Sequence, residues 1–591
     1  MQRDIAALAA REFDLIVIGG GIFGAATAWD AAERGLSVAL LEQADFGHAA
    51  SAHCFKMVHG GIRYLQHADL VRLRQSNLER RTLLRIAPHL VRPLPIFIPT
   101  YGHGREGKEL LAAGLAVYDL LTLDRNRGLV DPARHIPPSR TLSRREALAR
   151  FPDLACEDLS GGALFYDGQM RNPGRFVLAF VLSAAARGTQ VANYTEVTSL
   201  LRSGERVVGV GARDVLSGAE FEVRGRVVVN ATGGWAPRQF ARWSGRALEP
   251  APVFSRDAYF VLRRPWPNEC ALAVAGATRD PDAFVSRSAR HLFLVPWRGC
   301  TLVGVWHAVY EGDPAAACLR EEDLRSFLEE INGAYPALGA RFEDIASTHA
   351  GLVLFGDNQP GTVHLSYGKR SRFVDHAKSD GLDGLLTLIG VRFTTARLEA
   401  EKAVNCVFRK LARPVPPCRT AATPLFGGDI PVFADFLRGG REERPAAVTP
   451  EIWENLLEIY GSRYRDVLAL CQQDAALSAT LPGSAVLRAE VLHAARCEMA
   501  QTLSDVVLRR SELGAEGLPE PKALEVAADI LAAELGWGEA RRRREIEAVS
   551  AEPTLCLPLA GVGVSSSATA VSGGAESVAG STTSLPREGT S

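Results

Sequence analysis

The sequence has no apolar run long enough to cross a bilayer. None of its hydrophobic stretches approaches the roughly 18 residues that a membrane-spanning helix needs. Its first residues, MQRDIAALAAREFD, contain acids and no long apolar core, so they do not resemble a signal peptide. Any contact with a membrane is therefore expected to be peripheral.

Cysteine pairs and an excess of charge are also missing. The ten cysteines show neither Cys-x-x-Cys pairs nor the spacing of metal ligands. We therefore expect reduced thiols, a cytoplasmic location and no metal. A net charge of −1 gives no indication of a nucleic-acid partner. The length of 591 residues and the hydrophobic content of 47% are those of an ordinary globular chain with about two to four domains.

Residues 14–42 contain the pattern that organises the chain. An apolar strand, a helix and a second strand are predicted there in succession. Gly19, Gly21 and Gly24 form Gly-x-Gly-x-x-Gly where the first strand turns into the helix. Glycines let the backbone approach a pyrophosphate at the helix N-terminus, and Glu42 can accept hydrogen bonds from ribose hydroxyls. This arrangement predicts a dinucleotide site.

Two later segments favour FAD over NAD as the dinucleotide. Residues 49–63, AASAHCFKMVHGGIR, are rich in small, polar and glycine residues, where a NAD-binding domain would continue with another helix and strand. Residues 227–235, VVVNATGGW, predict a further strand that runs into a second glycine turn. We therefore expect a nucleotide fold that is interrupted by a large insertion and completed late, which is the FAD pattern.

These segments resemble a known family. GGGIFGAA, SAHCFKMVHGGIRYLQ and NATGGWAP are similar to motifs of the FAD-dependent (aerobic) glycerol-3-phosphate dehydrogenases, in the D-amino-acid-oxidase-like superfamily. The resemblance implies FAD as the cofactor and an α/β fold with a discontinuous FAD-binding Rossmann-like domain. It implies oxidation of a secondary alcohol of a small molecule by hydride transfer to flavin N5, with reoxidation by a quinone or by oxygen. It suggests peripheral binding to the inner face of the cell membrane and leaves open whether the chain forms a homodimer.

The resemblance also divides the chain into regions. It implies an FAD-dependent oxidoreductase region at 12–415, with an inserted mixed-sheet substrate domain at roughly 65–165 and 240–380. An α-helical C-terminal cap domain would follow at 416–547. Residues 552–591 are rich in Ser, Gly, Ala and Thr and contain no aromatic residue, so we expect a disordered tail.

Candidate site residues follow from the matched motifs. Arg63 belongs to a His-Gly-Gly-x-Arg-Tyr-Leu motif whose arginine lies at the active site of the family. Arg392 stands where the family usually has the lysine of Gly-Gly-Lys-Leu-Thr-Thr, which keeps the charge but changes its shape to a planar fork. The implied catalytic residues are Arg63, His307, Tyr259 and Arg392. The implied cofactor-binding residues are Gly19, Gly21, Gly24, Glu42, Ser51, His59, Gly60, Gly61, Ala231, Thr232, Gly233, Gly390, Arg392 and Thr394.

Three segments depart from the family pattern where the substrate should bind. The usual Lys-Gly-x-His, which supplies a candidate general base, ends at Tyr259 instead of histidine. The usual Gly-Val-Arg-Pro-Leu, whose arginine helps to hold phosphate, has Val353, and the usual Gly-Thr-Thr-Asp ends at His307. Because tyrosine has a pKa of about 10, we expect His307 or His349 to act as the base. Arg256 is the first cation to consider as a replacement for the lost arginine.

These departures leave the substrate open. Loss of a charge-assisted fork predicts slow reaction with a phosphate dianion, and Val353→Arg should restore it only together with Tyr259→His. One alternative is a divergent family member that acts on a non-phosphorylated hydroxyl or amine substrate. Another is a flavin-binding accessory protein without turnover. His48 and His53, which follow Glu42, leave open a covalent link to the flavin.

Overall fold

A computed structural model describes residues 1–103, 107–279, 289–356, 358–359 and 370–555 of the chain. Within these ranges the chain forms seventeen β-strands and seventeen α-helices. The strands are β1 (Glu12–Ile18), β2 (Val38–Leu41), β3 (Met57–Val58), β4 (Val91–Tyr101), β5 (Arg140–Ser143), β6 (Leu159–Met170), β7 (Gln190–Ala192), β8 (Thr195–Ser203), β9 (Arg206–Asp214), β10 (Glu220–Asn230), β11 (Phe254–Leu262), β12 (Ala271–Arg279), β13 (Ala289–Trp297), β14 (Cys300–Tyr310), β15 (Ile345–Leu354), β16 (Arg372–Asp375) and β17 (Leu385–Ile389). The helices are α1 (Ile5–Ala9), α2 (Ile22–Glu33), α3 (Leu70–Ile86), α4 (Lys108–Leu121), α5 (Arg144–Arg150), α6 (Pro173–Ala186), α7 (Ala236–Ser244), α8 (Glu321–Ala334), α9 (His376–Ser379), α10 (Ala396–Lys410), α11 (Phe433–Glu442), α12 (Pro450–Tyr460), α13 (Tyr464–Gln473), α14 (Arg488–Glu498), α15 (Leu503–Asp505), α16 (Pro521–Leu535) and α17 (Glu539–Ser550).

The centre of the first sheet is parallel and is built from remote segments of the chain. β1 lies between β2 and β10, with Leu15 opposite both Val38 and Val227. The strand order is β16-β17-β10-β1-β2-β7, and the β8–β9 hairpin is attached through β10. The predicted discontinuous α/β fold is thereby confirmed, since β1, β10 and β17 come from widely separated parts of the sequence.

Both faces of the first sheet are covered, which explains why its strands are apolar throughout. Leu15 and Val17 point into a core that α2, α6 and α10 share. In that core Trp29 meets Phe180 edge to face, with ring centroids 5.3 Å apart. Ile16 points to the opposite face, into a second core that includes residues of α1 and α7.

The second sheet is mixed and carries the strands that face the first. Its order is β15-β11-β14-β13-β12-β4-β6-β3, with β5 paired to β6. Its pairs are antiparallel except for β12 and β4, which run parallel. One face packs on α8, where the Phe260 and Phe327 rings meet with centroids 4.9 Å apart. The other face is left to line a cleft between the two sheets.

The C-terminal helices build two cores of their own and are bonded to the first sheet through a buried carboxylate. Asp45, in the loop after β2, accepts hydrogen bonds from Arg509 and Arg510, each at 2.6 Å. Both arginines lie in a π-helical turn, Val506–Arg510, that follows α15. Burial opposes ionisation of Asp45, but the two guanidinium groups outweigh it and lower its pKa to about 2.

The end of the described chain corrects the predicted start of the tail. The Thr348 N–H donates to the Thr554 carbonyl at 2.9 Å, and Leu555 is buried in the core of the last helices. The prediction of disorder is therefore wrong for residues 552–555, because one leucine supplies an anchor that the average composition of the segment conceals. The rest of that prediction, residues 556–591, lies outside the described residues.

Helix length bears on the membrane question. Over the described ranges of the chain, no helix is both long enough and apolar enough to cross a membrane. The helix α3, with 17 residues, illustrates why: Arg72 and Arg80 are buried along it and pair with Asp69 and Asp167. Its basic residues therefore serve internal contacts.

Candidate active site

The carboxyl ends of the parallel strands open into one large cleft. β2, β1, β10 and β17 end side by side there. The cleft continues to β11, β14 and β15 of the second sheet and has a volume of about 470 Å³. Ligands of open α/β sheets bind at this edge, and cavities of several hundred Å³ suit cofactors and small molecules. The two sheets thus enclose a site with a nucleotide edge and a separate wall.

The first glycine turn brings backbone against backbone, as a phosphate cradle requires. Gly19 has φ +105°, and a Cβ there would lie 2.7 Å from the Ala231 carbonyl oxygen. Gly21 is the N-cap of α2 and makes no side-chain capping bond, while the first N–H of the helix donates to Ser51 Oγ at 3.0 Å. Gly24 does not line the cleft. It is required for packing, since a Cβ there would overlap the Gly19 carbonyl oxygen.

Glu42 follows β2 with its carboxylate turned back towards the glycine turn. Its Oε2 accepts from the Gly20 N–H at 2.6 Å, and its Oε1 accepts from the Ala44 N–H at 2.9 Å. Burial raises the pKa of this carboxyl group, and the two backbone hydrogen bonds act against that rise. Glu42 lines the cleft near the N-terminus of α2, where it could accept from ribose hydroxyls.

Two later turns complete the same edge of the sheet. Residues 231–233 follow β10 and line the cleft, with Gly233 at φ +59°. Gly390 follows β17 and also lines it; a Cβ there would overlap the Phe23 ring. The His59 N–H donates to Thr394 Oγ at 3.1 Å, so the turn after β17 is bonded to the loop that leaves β3.

The His-Gly-Gly loop is held from below by a buried carboxylate. Gly60 N–H and Arg80 both bond Asp167 Oδ1, at 2.6 and 2.7 Å, and His59 Nδ1 lies 3.4 Å from the other carboxylate oxygen. Burial opposes ionisation of Asp167, but His59 and Arg80 outweigh it and lower its pKa. Gly61 lines the cleft, whereas Gly60 does not. Gly60 packs against Arg80 so closely that a Cβ there would overlap the guanidinium.

Two predicted cations stand on one side of the cleft. Arg392 Nη1 donates to Ser76 Oγ at 2.7 Å, and its guanidinium lies over the Tyr64 ring at 5.1 Å from the centroid. Arg63 comes from the short 3₁₀ helix at Ile62–His67 and lines the same cleft. This side is therefore suited to an anionic group.

The nucleotide edge as a whole fits a bound FAD. Glycines stand at the close approaches, the N-terminus of α2 faces the cleft, and an acid ends the second strand, as a dinucleotide requires. Every predicted cofactor-binding residue except Gly24 and Gly60 lines the one cleft. Those two glycines lie directly behind it and allow the close packing described above.

The opposite wall of the cleft comes from the paired strands β11 and β14. Their register sets Asp257 opposite His307, and Asp257 Oδ1 lies 2.7 Å from His307 Nδ1. Both residues line the cleft. A carboxylate in this position fixes the orientation and the tautomer of an imidazole. The four predicted catalytic residues, Arg63, His307, Tyr259 and Arg392, all line this cleft.

Tyr259, on the same wall, belongs to a buried polar cluster. Lys56 Nζ and the Tyr259 hydroxyl are hydrogen-bonded at 2.5 Å. The His349 ring stacks on the Tyr259 ring with centroids 4.5 Å apart, and His349 Nδ1 lies 3.2 Å from His53 Nδ1. Burial raises the pKa of Tyr259 well above its usual value and lowers those of His53 and His349. His349 does not line the cleft, so it is a packing partner of Tyr259 and does not face the substrate.

Val353 and Arg256, the two positions considered for phosphate binding, lie in different surroundings. Val353, on β15, lines the cleft. Arg256 does not: it pairs with Asp323 of α8 at 2.9 Å and donates to the Cys318 carbonyl at 3.0 Å. Arg256, the first cation to consider as a replacement, therefore faces away from the cleft, because neighbouring residues of a strand face opposite sides of the sheet. Arg290, on β13, lines the cleft instead.

Sequence reasoning misses four ionisable residues in or behind the cleft, namely Lys56, Asp167, Asp257 and Arg290. Asp257 lies inside a segment that the sequence already marks as altered, and the pairing of β11 with β14 is the signal that would have revealed it. The other three have no local signature. Asp167, for example, lies 107 residues from the glycine that it bonds.

Two family models match successive parts of the chain. One, described as FAD dependent oxidoreductase, matches residues 14–381. The other, described as the C-terminal domain of alpha-glycerophosphate oxidase, matches residues 418–542. Together they span the second sheet, the first sheet apart from β17 and the first two residues of β1, and the helices α11 to α16.

Curated relatives and a solved structure match most of the chain. A glycerol-3-phosphate dehydrogenase of Synechocystis sp. is 31% identical over 518 residues, which cover 85% of this chain and 89% of the relative. Glycerol-3-phosphate dehydrogenase 2 of Mycobacterium tuberculosis is 32% identical over 550 residues, covering 91% and 88%. The glycerol-3-phosphate dehydrogenase of Bacillus halodurans, complexed with FAD, has a TM-score of 0.73 at 24% identity and covers 94% of this chain and 97% of that one. At that identity the likeness shows the fold.

Proposed function

The chain belongs to the FAD-dependent oxidoreductase family, and on that premise we propose that it oxidises the secondary hydroxyl of a small anionic polyol of the glycerol 3-phosphate type to a ketone. The observation that carries the proposal is the composition of the cleft. A nucleotide edge on one side faces a wall with polar and titratable side chains on the other, and three arginines also line the cleft.

The residues at the nucleotide edge would hold the cofactor. Gly19 and Gly21 would admit the pyrophosphate beside the N-terminus of α2, and Glu42 would accept from ribose hydroxyls. Arg392 would place positive charge beside the polar edge of the ring system. FAD, when bound, supplies the acceptor for the hydride.

The anionic end of the substrate would be bound by arginine. Arg63, Arg290 and Arg392 line the cleft, and a desolvated phosphate or carboxylate needs convergent cations of this kind. We assign Arg63 and Arg290 to the substrate anion. The names of the curated relatives, glycerol-3-phosphate dehydrogenase, support a phosphate as that anion.

The hydroxyl proton would be taken up by the wall of β11 and β14. Two titratable residues there line the cleft: His307, whose Nδ1 lies 2.7 Å from Asp257, and Tyr259. Because a ketone is the product, this proton must leave the oxygen as the hydride leaves the carbon that bears it. Quinone or oxygen would then take the electrons and complete the cycle.

One observation favours a second candidate function. Val353 and Tyr259, which stand where the family has a phosphate-binding arginine and a histidine, both line the cleft. Loss of the bidentate hydrogen bonds of an arginine weakens binding of a dianion most. The affinity for a non-phosphorylated hydroxyl or amine substrate therefore rises relative to that for glycerol 3-phosphate. With neither substrate class active, the chain would be a flavin-binding accessory protein.

Anaerobic stopped-flow mixing with a substrate panel tests these alternatives. The panel comprises glycerol 3-phosphate, glycerol, a 2-hydroxy acid and an amino acid, and loss of the oxidised flavin absorbance is the readout. The proposal expects glycerol 3-phosphate to reduce the flavin faster than the uncharged polyol does. The proposal is overturned if light and a photoreductant reduce the flavin but no member of the panel does. Oxygen and a soluble quinone, added to the reduced protein, then identify the electron acceptor.

A further inference from the structure

Lys56 occupies an unusual position behind the wall of the cleft. Its side chain is buried, and the residue as a whole is only 3% exposed. Its backbone has φ +58°, a conformation that costs free energy in a residue with a side chain and that persists where the surroundings impose it. Among the described residues, the titratable groups that act on it most strongly are Cys54, Arg298 and Cys300, and no carboxylate is among them.

Lys56 is aimed at Tyr259. Its Nζ lies 2.5 Å from the Tyr259 hydroxyl and 4.4 Å from the centroid of the Trp297 ring. Tyr259 in turn lines the cleft, whereas Lys56 does not. Tyr259 is itself only 1% exposed, so this residue connects the lining of the cleft to a buried amine that lies within hydrogen-bond distance of its hydroxyl.

We propose that Tyr259 and Lys56 form a proton relay, in which Tyr259 accepts the substrate hydroxyl proton and passes its own proton to the neutral amine of Lys56. The inference rests on the proposed function, since it names the group that takes the proton in that reaction. Tyr259 touches the substrate and is the catalytic residue of the pair. Lys56 acts only through it and is a positioning residue.

The step balances within the site. The substrate O–H bond breaks and its proton goes to Tyr259 Oη, while the Tyr259 O–H bond breaks and its proton goes to Lys56 Nζ, which becomes an ammonium. The electron pair of the substrate O–H bond forms the second bond of the carbonyl as the C–H bond breaks. The hydride from that C–H bond goes to the oxidant that the proposed function supplies. Release of the ammonium proton to solvent resets the pair.

Burial explains why neither residue would serve alone. It raises the pKa of Tyr259 well above its usual value, so this tyrosine would be a poor base without a partner. It lowers the pKa of Lys56 to about 7, so the amine is neutral just above neutral pH and can accept a proton. His349, which stacks on the Tyr259 ring, and His53 beside it have their pKa values lowered by burial, so they add no positive charge to the pair near neutral pH.

The relay leaves His307 a different task. Asp257 fixes its orientation at 2.7 Å, which suits a hydrogen bond to a second polar group of the substrate. Substitutions of His307 and substitutions in the relay should therefore have different effects. Loss of His307 should weaken substrate binding, and loss of Tyr259 or Lys56 should slow proton removal.

The pH dependence of flavin reduction tests the relay. In the wild type, the limiting rate of reduction should rise with pH through about 7 and then level off, because Lys56 must be neutral. Lys56→Met, Lys56→Arg and Tyr259→Phe should each lower that rate by about a hundredfold and remove the rise. The Lys56→Arg variant carries a positive charge at every pH and cannot take up a proton, so it separates proton uptake from the effect of a charge at this position. Adding Tyr259→Phe to the Lys56→Met variant should lower the rate of flavin reduction little further, since the two residues act as one unit.

Controls keep the outcomes distinct. Lys522→Met, at an exposed position of α16, should leave rate and pH profile unchanged. Should Lys56→Met lose flavin, Tyr259→Phe carries the test, because phenylalanine preserves the ring packing. The relay is overturned if Lys56→Met and Tyr259→Phe keep the wild-type profile, or if His307→Asn alone removes the rise. A wild-type protein that no panel substrate reduces refutes the proposed function itself, before any variant is compared.

Discussion

The nucleotide edge and the substrate wall of the cleft are built by different means. The edge relies on backbone: glycines at Gly19, Gly21 and Gly390 let strands, helix and ligand approach closely. The wall relies on side chains that meet across remote strands, such as Asp257 with His307. Substitution in the edge is limited by space, whereas the wall can exchange one polar group for another. The difference explains how a chain can keep the cofactor motifs of its family and alter the motifs around the substrate.

The largest effect should come from filling the edge. Gly21→Val is expected to abolish flavin retention, because its side chain would project beside Ser51 at the N-terminus of α2, where the pyrophosphate belongs. The flavin content of the purified protein, released by denaturation, is the measurement. Gly333→Val, in α8 where a Cβ would meet nothing within 4 Å, is the matched control. Full flavin content in the Gly21→Val protein would show that this turn is not the cradle.

The stability of the protein should depend on Asp45, which bonds the C-terminal helices to the nucleotide edge. Asp45→Asn removes a buried charge from two arginines and is expected to lower the free energy of unfolding by about 3–5 kcal/mol. Denaturant titration measures it, with Asp435→Asn at an exposed ion pair as the control. The pKa of Asp45 falls from 3.8 to about 2 on folding, so its contribution is complete above pH 4 and is lost as the pH falls through 2. A variant as stable as the wild type at neutral pH would contradict this.

The wall should gain activity from a single change. Val353→Arg is expected to raise the rate of flavin reduction per concentration of glycerol 3-phosphate by about a hundredfold, the scale of ~3 kcal/mol of charge-assisted hydrogen bonding. With the Tyr259–Lys56 relay in place, Tyr259→His should not be needed, which differs from the expectation drawn from the sequence. Val215→Arg, at a position 46% exposed, is the control. A gain seen only in the double variant would restore histidine as the required base.

The smallest effect should come from the end of the chain. Removal of residues 556–591 is expected to leave flavin content and melting temperature unchanged, as composition predicts. Removal of residues 552–591 also takes away Leu555 and the hydrogen bond from Thr348 of β15. This larger truncation should lower the free energy of unfolding by about 1.5–3 kcal/mol. Thermal unfolding of the two truncated proteins compares them. Equal melting temperatures would show that this anchor does not support the wall.

The edge could be predicted from the sequence because its signals are local. The glycine turn, the strand before it and the acid after it lie within residues 14–42, and the structure confirms their arrangement. The wall could not, because its contacts depend on register and on distance along the chain. A one-residue alternation decides that Arg256 faces α8 while Asp257 faces the cleft. Lys56 and Tyr259 are 203 residues apart and become partners only when β3 and β11 are brought together. The catalytic and cofactor-binding roles of the individual residues stay predictions.

The order of strands in the first sheet has a consequence for the chain as it is being made. β1 is paired on one side with β2, but its other neighbour, β10, is not synthesised until residues 220–230. At about 5–20 residues per second, that edge waits for about 10–40 s on the ribosome. β10 then waits in turn for β17, at residues 385–389. A nascent or truncated chain that stops before β17 keeps a hydrophobic strand with an open edge, the kind of edge that pairs with other chains.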